Sequence, residues 1–128
     1  MWTDKYLIGN RLIDKQHRHL FVVASDLMTN YRDKEEVDKE AFASKLSFLK
    51  EYAVNHFADE EKLQIELKYK GYEEHKKLHE DLLSQVHHHE KALVESDFSK
   101  EEIDSFIQTL VEWLTHHVAV EDKKIPRT

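Results

Sequence analysis

The chain has 128 residues, one proline, two glycines and no cysteine, which excludes disulfides and thiolate metal sites and leaves room for one domain with a real core. A net charge of -7 with histidine neutral argues against nucleic acid or an anionic lipid surface as partner. The longest apolar run, Leu20–Ala24, is far too short to span a bilayer, and no basic segment followed by an apolar stretch marks a signal peptide, so a soluble, cytoplasmic protein without membrane insertion is expected.

Residues 1–12 mix Trp2, Tyr6, Leu7 and Ile8 with a turn signal at Gly9–Asn10 and read as an N-terminal arm packed on the body. A first helix starts near Leu12–Asp14 and carries the stripe Leu20, Phe21, Ala24, Leu27, Met28, Tyr31, which extends back to His17. The charged segment 32–38 reads as a loop. A second helix runs from about Asp38 to about Leu67, with Phe42, Leu46, Leu49, Ala53, His56, Glu60, Leu63 and Leu67 in phase and Gly71 as its stop signal. A third runs from about Tyr72 to Glu95, with Tyr72, His75, His79, Leu82, Val86 and Leu93 in phase. Ser99 and Glu102 then match a capping box, in which the serine caps the helix and the glutamate reaches back. The fourth helix carries Ile103, Phe106, Ile107, Leu110, Trp113, Leu114 and His117, and Pro126 closes the chain's ordered pattern. Short connections between four amphipathic helices predict an all-α, antiparallel up-down-up-down four-helix bundle, a single domain over residues 1–128.

Every one of the four helices places histidine on its apolar stripe: His17, His56, His75 with His79, and His117; Glu60 follows His56 by one turn. A buried imidazole or carboxylate without a partner costs several kcal/mol. Mutual hydrogen bonds satisfy one or two such groups, not five histidines and a glutamate. A metal ion accepts neutral imidazole nitrogen and carboxylate oxygen directly. Depth agrees with phase. His17, His75 and His79 come early in their helices and His56 and His117 late, so an antiparallel bundle brings all five to one end.

These pieces resemble the hemerythrin family, the bacterial hemerythrins in particular. The residues that carry the resemblance are Trp2 in the arm, the run Ile13–His17, His56-Phe-Ala-Asp-Glu60-Glu61, His75 with His79, and Trp113-Leu-Thr-His-His117 continuing to Asp122. The order is right and the match covers nearly the whole chain. The resemblance implies two iron ions (Fe2+/Fe3+) joined by an oxo or hydroxo bridge. His75, His79 and His117 would bind one, His17 and His56 the other, and Glu60 and Asp122 would bridge both. One coordination position would stay open for dioxygen, lined by Phe57, Trp113, Leu114 and Val118. The implied activity is reversible oxygen binding for storage, delivery or sensing rather than catalysis. The alternatives are a di-iron enzyme acting on peroxide or nitric oxide, and the sensory module of a larger signalling protein.

Two positions test the resemblance. Asp122 follows His117 by five residues, about 140° out of phase on a straight helix, whereas Glu121 is closer to phase. Periodicity therefore favours Glu121 and the resemblance favours Asp122, which would require the helix to loosen. Gln64 stands where relatives commonly carry methionine, and would put an amide near the end of the core. The remaining polar residues read as ordinary surface: the tract His87-His88-His89, His19, His116 and Glu61 as solvated side chains, Asp14 and Ser99 as residues of helix starts.

Overall fold

In the computed structural model, residues 2–126 are described; the outer limits of the expected domain, Met1 and residues 127–128, lie outside them. A 3-10 turn, Asp4–Tyr6, precedes four α-helices: α1 (Arg11–Asn30), α2 (Lys39–Glu66), α3 (Tyr72–Glu95) and α4 (Lys100–His116). A π turn, His117–Glu121, and a 3-10 turn, Asp122–Lys124, extend α4. No strand occurs among the described residues. Each helix packs on its neighbours in sequence, and α4 closes back on α1. Bonds across the interfaces give the directions. Early Gln16 of α1 meets late Asp59 of α2, early Lys50 of α2 meets late Glu90 of α3, and early His75 of α3 meets His117 just past α4. The bundle is antiparallel throughout, as the short connections require. Among the described residues, no helix is long and apolar enough to cross a membrane.

The helix starts differ in detail from the pattern in the sequence. Asn10 caps α1 by accepting the Ile13 N–H at 3.0 Å, so the helix begins at Arg11. Asp14 reaches backwards instead, accepting the N–H groups of Ile8 (2.8 Å) and Gly9 (3.1 Å) and tying the arm to the helix. Ser99 does cap α4, through Glu102 N–H at 3.3 Å. Its own N–H, however, donates to Ser96 Oγ at 3.2 Å, so the reciprocal half of the expected box comes from a serine and not from Glu102. Gly71 does not stop α2. That helix ends in a Schellman arrangement, with Tyr69 N–H on Gln64 C=O and Lys68 N–H on Ile65 C=O, and Lys68 holds the left-handed conformation at φ 55°. Gly71 starts α3 instead, and a Cβ there would meet the Tyr69 ring at 2.7 Å.

Two apolar bodies result. The main core joins all four helices through residues such as Phe21, Phe42, Leu93 and Phe106. A smaller cluster of Ile8, Ile13 and Ile125, with Leu63, Leu67 and Tyr69 against it, lies at the other side of the histidines. Leu63 and Leu67 are thus only half-buried and belong to this plug, not to the main stripe. Gln64 takes the inward position instead, fully buried, because His56, Glu60 and Gln64 recur at steps of four along the inner line of α2.

The left-handed Lys68 is strained for a residue with a Cβ, by roughly 1–2 kcal/mol, part of which glycine would return as chain entropy. Lys68→Gly is expected to stabilise the chain by about 0.5–1 kcal/mol, read as a higher urea midpoint at unchanged slope. A lower midpoint would show that the lysine side chain matters more than its backbone.

Candidate metal centre

Among the described residues, the buried polar and charged side chains are His17, His56, Glu60, His75, His79, His117 and Asp122, with Gln64 as the one further member. Each of the seven is at most 3% exposed. Position along each helix explains the convergence. Leu20 lies one turn from His17, Ala53 from His56, Leu82 from His79 and Trp113 from His117, so the polar layer sits directly on the main core. Ile13, Leu63 and Ile125 cover its other side.

The seven side chains fall into two sets. Glu60, His75, His79, His117 and Asp122 each offer an atom within 4.8 Å of all the others, and so do His17, His56 and Glu60. Glu60 divides its oxygens between them. Oε1 lies 2.8 Å from His75 Nε2 and 3.1 Å from His79 Nε2, while Oε2 lies 3.1 Å from His17 Nε2 and 3.3 Å from His56 Nε2. Asp122 divides in the same way, with Oδ1 at 2.8 Å from His75 Nε2 and 3.0 Å from His117 Nε2, and Oδ2 at 3.0 Å from His17 Nε2.

Asp122 reaches the cluster because α4 changes its winding. In the π turn the backbone N–H of Asp122 donates to the carbonyl of His117, five residues back, which brings those two residues into line. Glu121 turns outward and pairs with Lys124 at 3.3 Å. The loosening that the resemblance required is present, and the straight-helix preference for Glu121 fails because the helix is not straight there.

Some of these atoms hydrogen-bond one another, as His17 and His75 do with Glu60, but the spacing also fits donors around common points. Donors about 2.1 Å from an octahedral metal lie about 3 Å from their cis neighbours. The contacts above span 2.8–3.3 Å, and His75 Nε2 and His117 Nε2, two atoms of the same kind, approach to 3.1 Å. Neither Asp122 oxygen nor His79 Nε2 gains a hydrogen bond of proper geometry, although all three are buried. A donor set of imidazole nitrogen and carboxylate oxygen, without thiolate, suits a first-row metal.

The charges within the cluster pull its members in opposite directions. Burial alone would lower His17, but Asp122 and Glu60 lift it to about 10. His75 rises to about 9 by the same opposition. Burial dominates at His56 and lowers it. Burial would raise Glu60, yet His17, His56, His75 and His79 together hold its carboxyl well below the usual range. Asp122 is lowered too, since His117 and His17 outweigh burial and the neighbouring Glu60 charge.

Around the cluster, three side chains emerge that periodicity did not single out. Gln16 Oε1 meets His56 Nδ1 at 2.7 Å, while Gln16 Nε2 donates to Asp59 at 2.7 Å. Glu61 Oε2 meets His79 Nδ1 at 2.9 Å, so Glu61 is not a solvated helix charge. Both Gln16 and Glu61 occur in the segments that carry the family resemblance, but each lies at the edge of its stripe, where a polar residue ordinarily faces water. Rings fix the orientation of two histidines. Phe57 stacks on His79 at 3.9 Å and Trp113 on His117 at 4.1 Å.

Phe57, Trp113 and Leu114 also line a small, mostly apolar cavity within the main core, together with Leu20, Ala53, Leu82 and Lys50; none of the seven buried polar side chains lines it. Val118 is buried beside His117 but does not line that cavity. The ion pair of Lys50 with Glu90, at 2.9 Å, lies beside the cavity's margin. The surface histidines divide. His19, His87, His88 and His116 are exposed, whereas His89 turns in to Thr109 Oγ1 at 3.0 Å and to the edge of Phe106, so it is not part of a solvated tract.

An antiparallel four-helix bundle with buried histidines from α1, α2, α3 and the turn that extends α4, and with two carboxylates at the same end, defines a class of metal-binding bundle. The family described as Hemerythrin HHE cation binding domain matches residues 8–126. A bacteriohemerythrin of Clostridium acetobutylicum is 28% identical over 97% of this chain and 96% of its own length. Hemerythrin subunit alpha of Lingula reevii is 30% identical over 96% of this chain and 89% of its own. A bacteriohemerythrin of Pseudomonas aeruginosa is 26% identical over 95% and 76%. The chain belongs to the hemerythrin family.

The raised imidazoles and lowered carboxylates fix the pH response of the metal-free chain. His17 and His75 contribute stability in full below their unfolded value of 6.5, and lose it as pH rises through about 9 and 10. Glu60 and Asp122 contribute above their ordinary values of 4.5 and 3.8 and lose it on acidification. The thermal midpoint of metal-free protein is therefore expected to peak between about pH 5 and 6.5 and to fall towards pH 10. A midpoint that climbs from pH 6.5 to 9 would contradict the charged cluster.

Proposed function

We propose that the chain holds two iron ions and binds dioxygen reversibly, serving oxygen storage, delivery or sensing. The observation that carries this reading is the unequal division of the donors. Five imidazoles split three to two about a pair of carboxylates that each present one oxygen to either side. His75, His79 and His117 would hold one ion, His17 and His56 the other, and Glu60 and Asp122 would bridge them. By count of donors, the first ion would be offered three nitrogens and two carboxylate oxygens and the second one nitrogen fewer, which would leave a position open there. A pair of irons so held supplies two electrons and an open coordination position to a small ligand.

The protein's part is to bind, orient and keep dry. His17 and His75, both raised, would have to give up a proton to take a metal, so loading would release protons at neutral pH. The two carboxylates offset ionic charge inside a layer that water does not reach. Phe57 and Trp113 brace the rings of His79 and His117, and with Leu114 they give the cavity a mostly carbon lining, in which Lys50 is the one charged side chain and is paired with Glu90. A lining so poor in proton donors would disfavour protonation of a small ligand held near it, which would favour release over oxidation. Two carboxylates also give less anionic support to high-valent iron than the four or more of ferritin-like oxidases.

Iron analysis and an optical oxygen cycle test the reading. Two irons per chain are expected, with a visible charge-transfer band that appears on oxygenation of reduced protein and vanishes under vacuum over repeated cycles. A band that decays at once while substrate is consumed favours an enzyme, and one iron or none overturns the di-iron assignment. In the same assay, Leu114→Thr, which sets a hydroxyl against the cavity, is expected to shorten the lifetime of the oxygenated form several-fold at unchanged iron content. An unchanged lifetime would remove the cavity lining from the argument.

A further inference from the structure

The contacts behind the histidines are as unequal as the histidines themselves. On the three-histidine side, His79 Nδ1 meets the Glu61 carboxylate directly, at 2.9 Å, and Glu61 is only 19% exposed. On the two-histidine side, His56 Nδ1 meets a neutral amide, Gln16 Oε1, at 2.7 Å. A carboxylate reaches that amide only at second hand, through Asp59 at the exposed surface. His17 Nδ1 is buried and has no hydrogen-bond partner. The outer nitrogen of a metal-binding imidazole sets both its tautomer and its strength as a donor, and a carboxylate behind it strengthens the ring most.

We infer that Glu61 and Gln16 are positioning residues that grade the two halves of the centre, so that the His75–His79–His117 half takes up metal first and more tightly. The inference rests on the two-metal reading above and adds an order of filling to it. Donor number and outer contact act in the same direction. The first half has three imidazoles, one of them backed by a charge. The second has two imidazoles, one backed by an amide and one by nothing. The amide has a further role. Gln16 spends its carbonyl on His56 and its N–H on Asp59, which fixes its orientation, so His56 carries its proton on Nδ1 and leaves Nε2 free for metal.

Cobalt(II) titration of the metal-free chain, followed by visible absorption and calorimetry, is the test. The unaltered protein is expected to fill in two resolved steps. Glu61→Gln keeps an oxygen acceptor and loses the charge, so it should weaken the first step about tenfold and shift the absorption of the first equivalent; Glu61→Leu, with no acceptor, should weaken that step towards about a hundredfold. Gln16→Leu should weaken the second step by a similar factor and leave the first equivalent's spectrum unchanged. Circular dichroism of each metal-free variant confirms the helices. Two steps of equal affinity, or a variant that weakens both steps alike, would overturn the grading while leaving the two-metal centre intact. Saturation at fewer than two cobalt ions per chain would overturn both.

Discussion

Two carboxylates buried among five imidazoles are the constraint on which the rest of this molecule depends. Glu60 and Asp122 are at most 1% exposed, and a carboxylate in that position is tolerated only with close positive or metal partners. Each carboxylate is approached by imidazoles from at least two other segments, at 2.8–3.3 Å. The same contacts therefore join α1, α2, α3 and the end of α4. Removing one partner leaves an uncompensated buried charge, which makes the polar layer an all-or-none part of the bundle.

The backbone bends to that constraint at one place. A regular α4 would aim Glu121 inward and Asp122 aside; the π turn at His117–Glu121 reverses this and then tightens into the 3-10 turn that brings Ile125 over the cluster. One irregularity thus brings both a carboxylate to the cluster and part of the apolar plug over it. The arm contributes to the same closure, because its 3-10 turn packs on the π turn and Asp14 ties the residues that follow it to α1.

Apolar matter on both sides gives the polar layer its chemistry. Towards the bundle centre, a small and mostly apolar cavity is lined by Phe57, Trp113 and Leu114 among other core residues. Towards the end, the Ile8–Ile13–Ile125 cluster shuts out solvent. Gln64 stands out against this background. Its amide is fully buried with neither polar atom hydrogen-bonded, one turn from Glu60, where a methionine would cost nothing in desolvation.

The sequence by itself determined the four helices, their antiparallel order and the meeting of His17, His56, Glu60, His75, His79 and His117. These follow from periodicity and depth, which depend on neighbours along one chain and on short connections. Helical periodicity favoured Glu121 and the family resemblance Asp122; the tertiary structure shows why Asp122 reaches the cluster, since its N–H bonds His117 C=O five residues back and the helix is no longer regular there. Tertiary structure also decided that Glu61 and Gln16 serve histidines, that His89 turns inward, and that Lys68 rather than Gly71 ends α2. Residues at the edge of a helical stripe have no fixed destination in sequence. Whether such a side chain meets water or an imidazole depends on which helix lies across from it, and at what height.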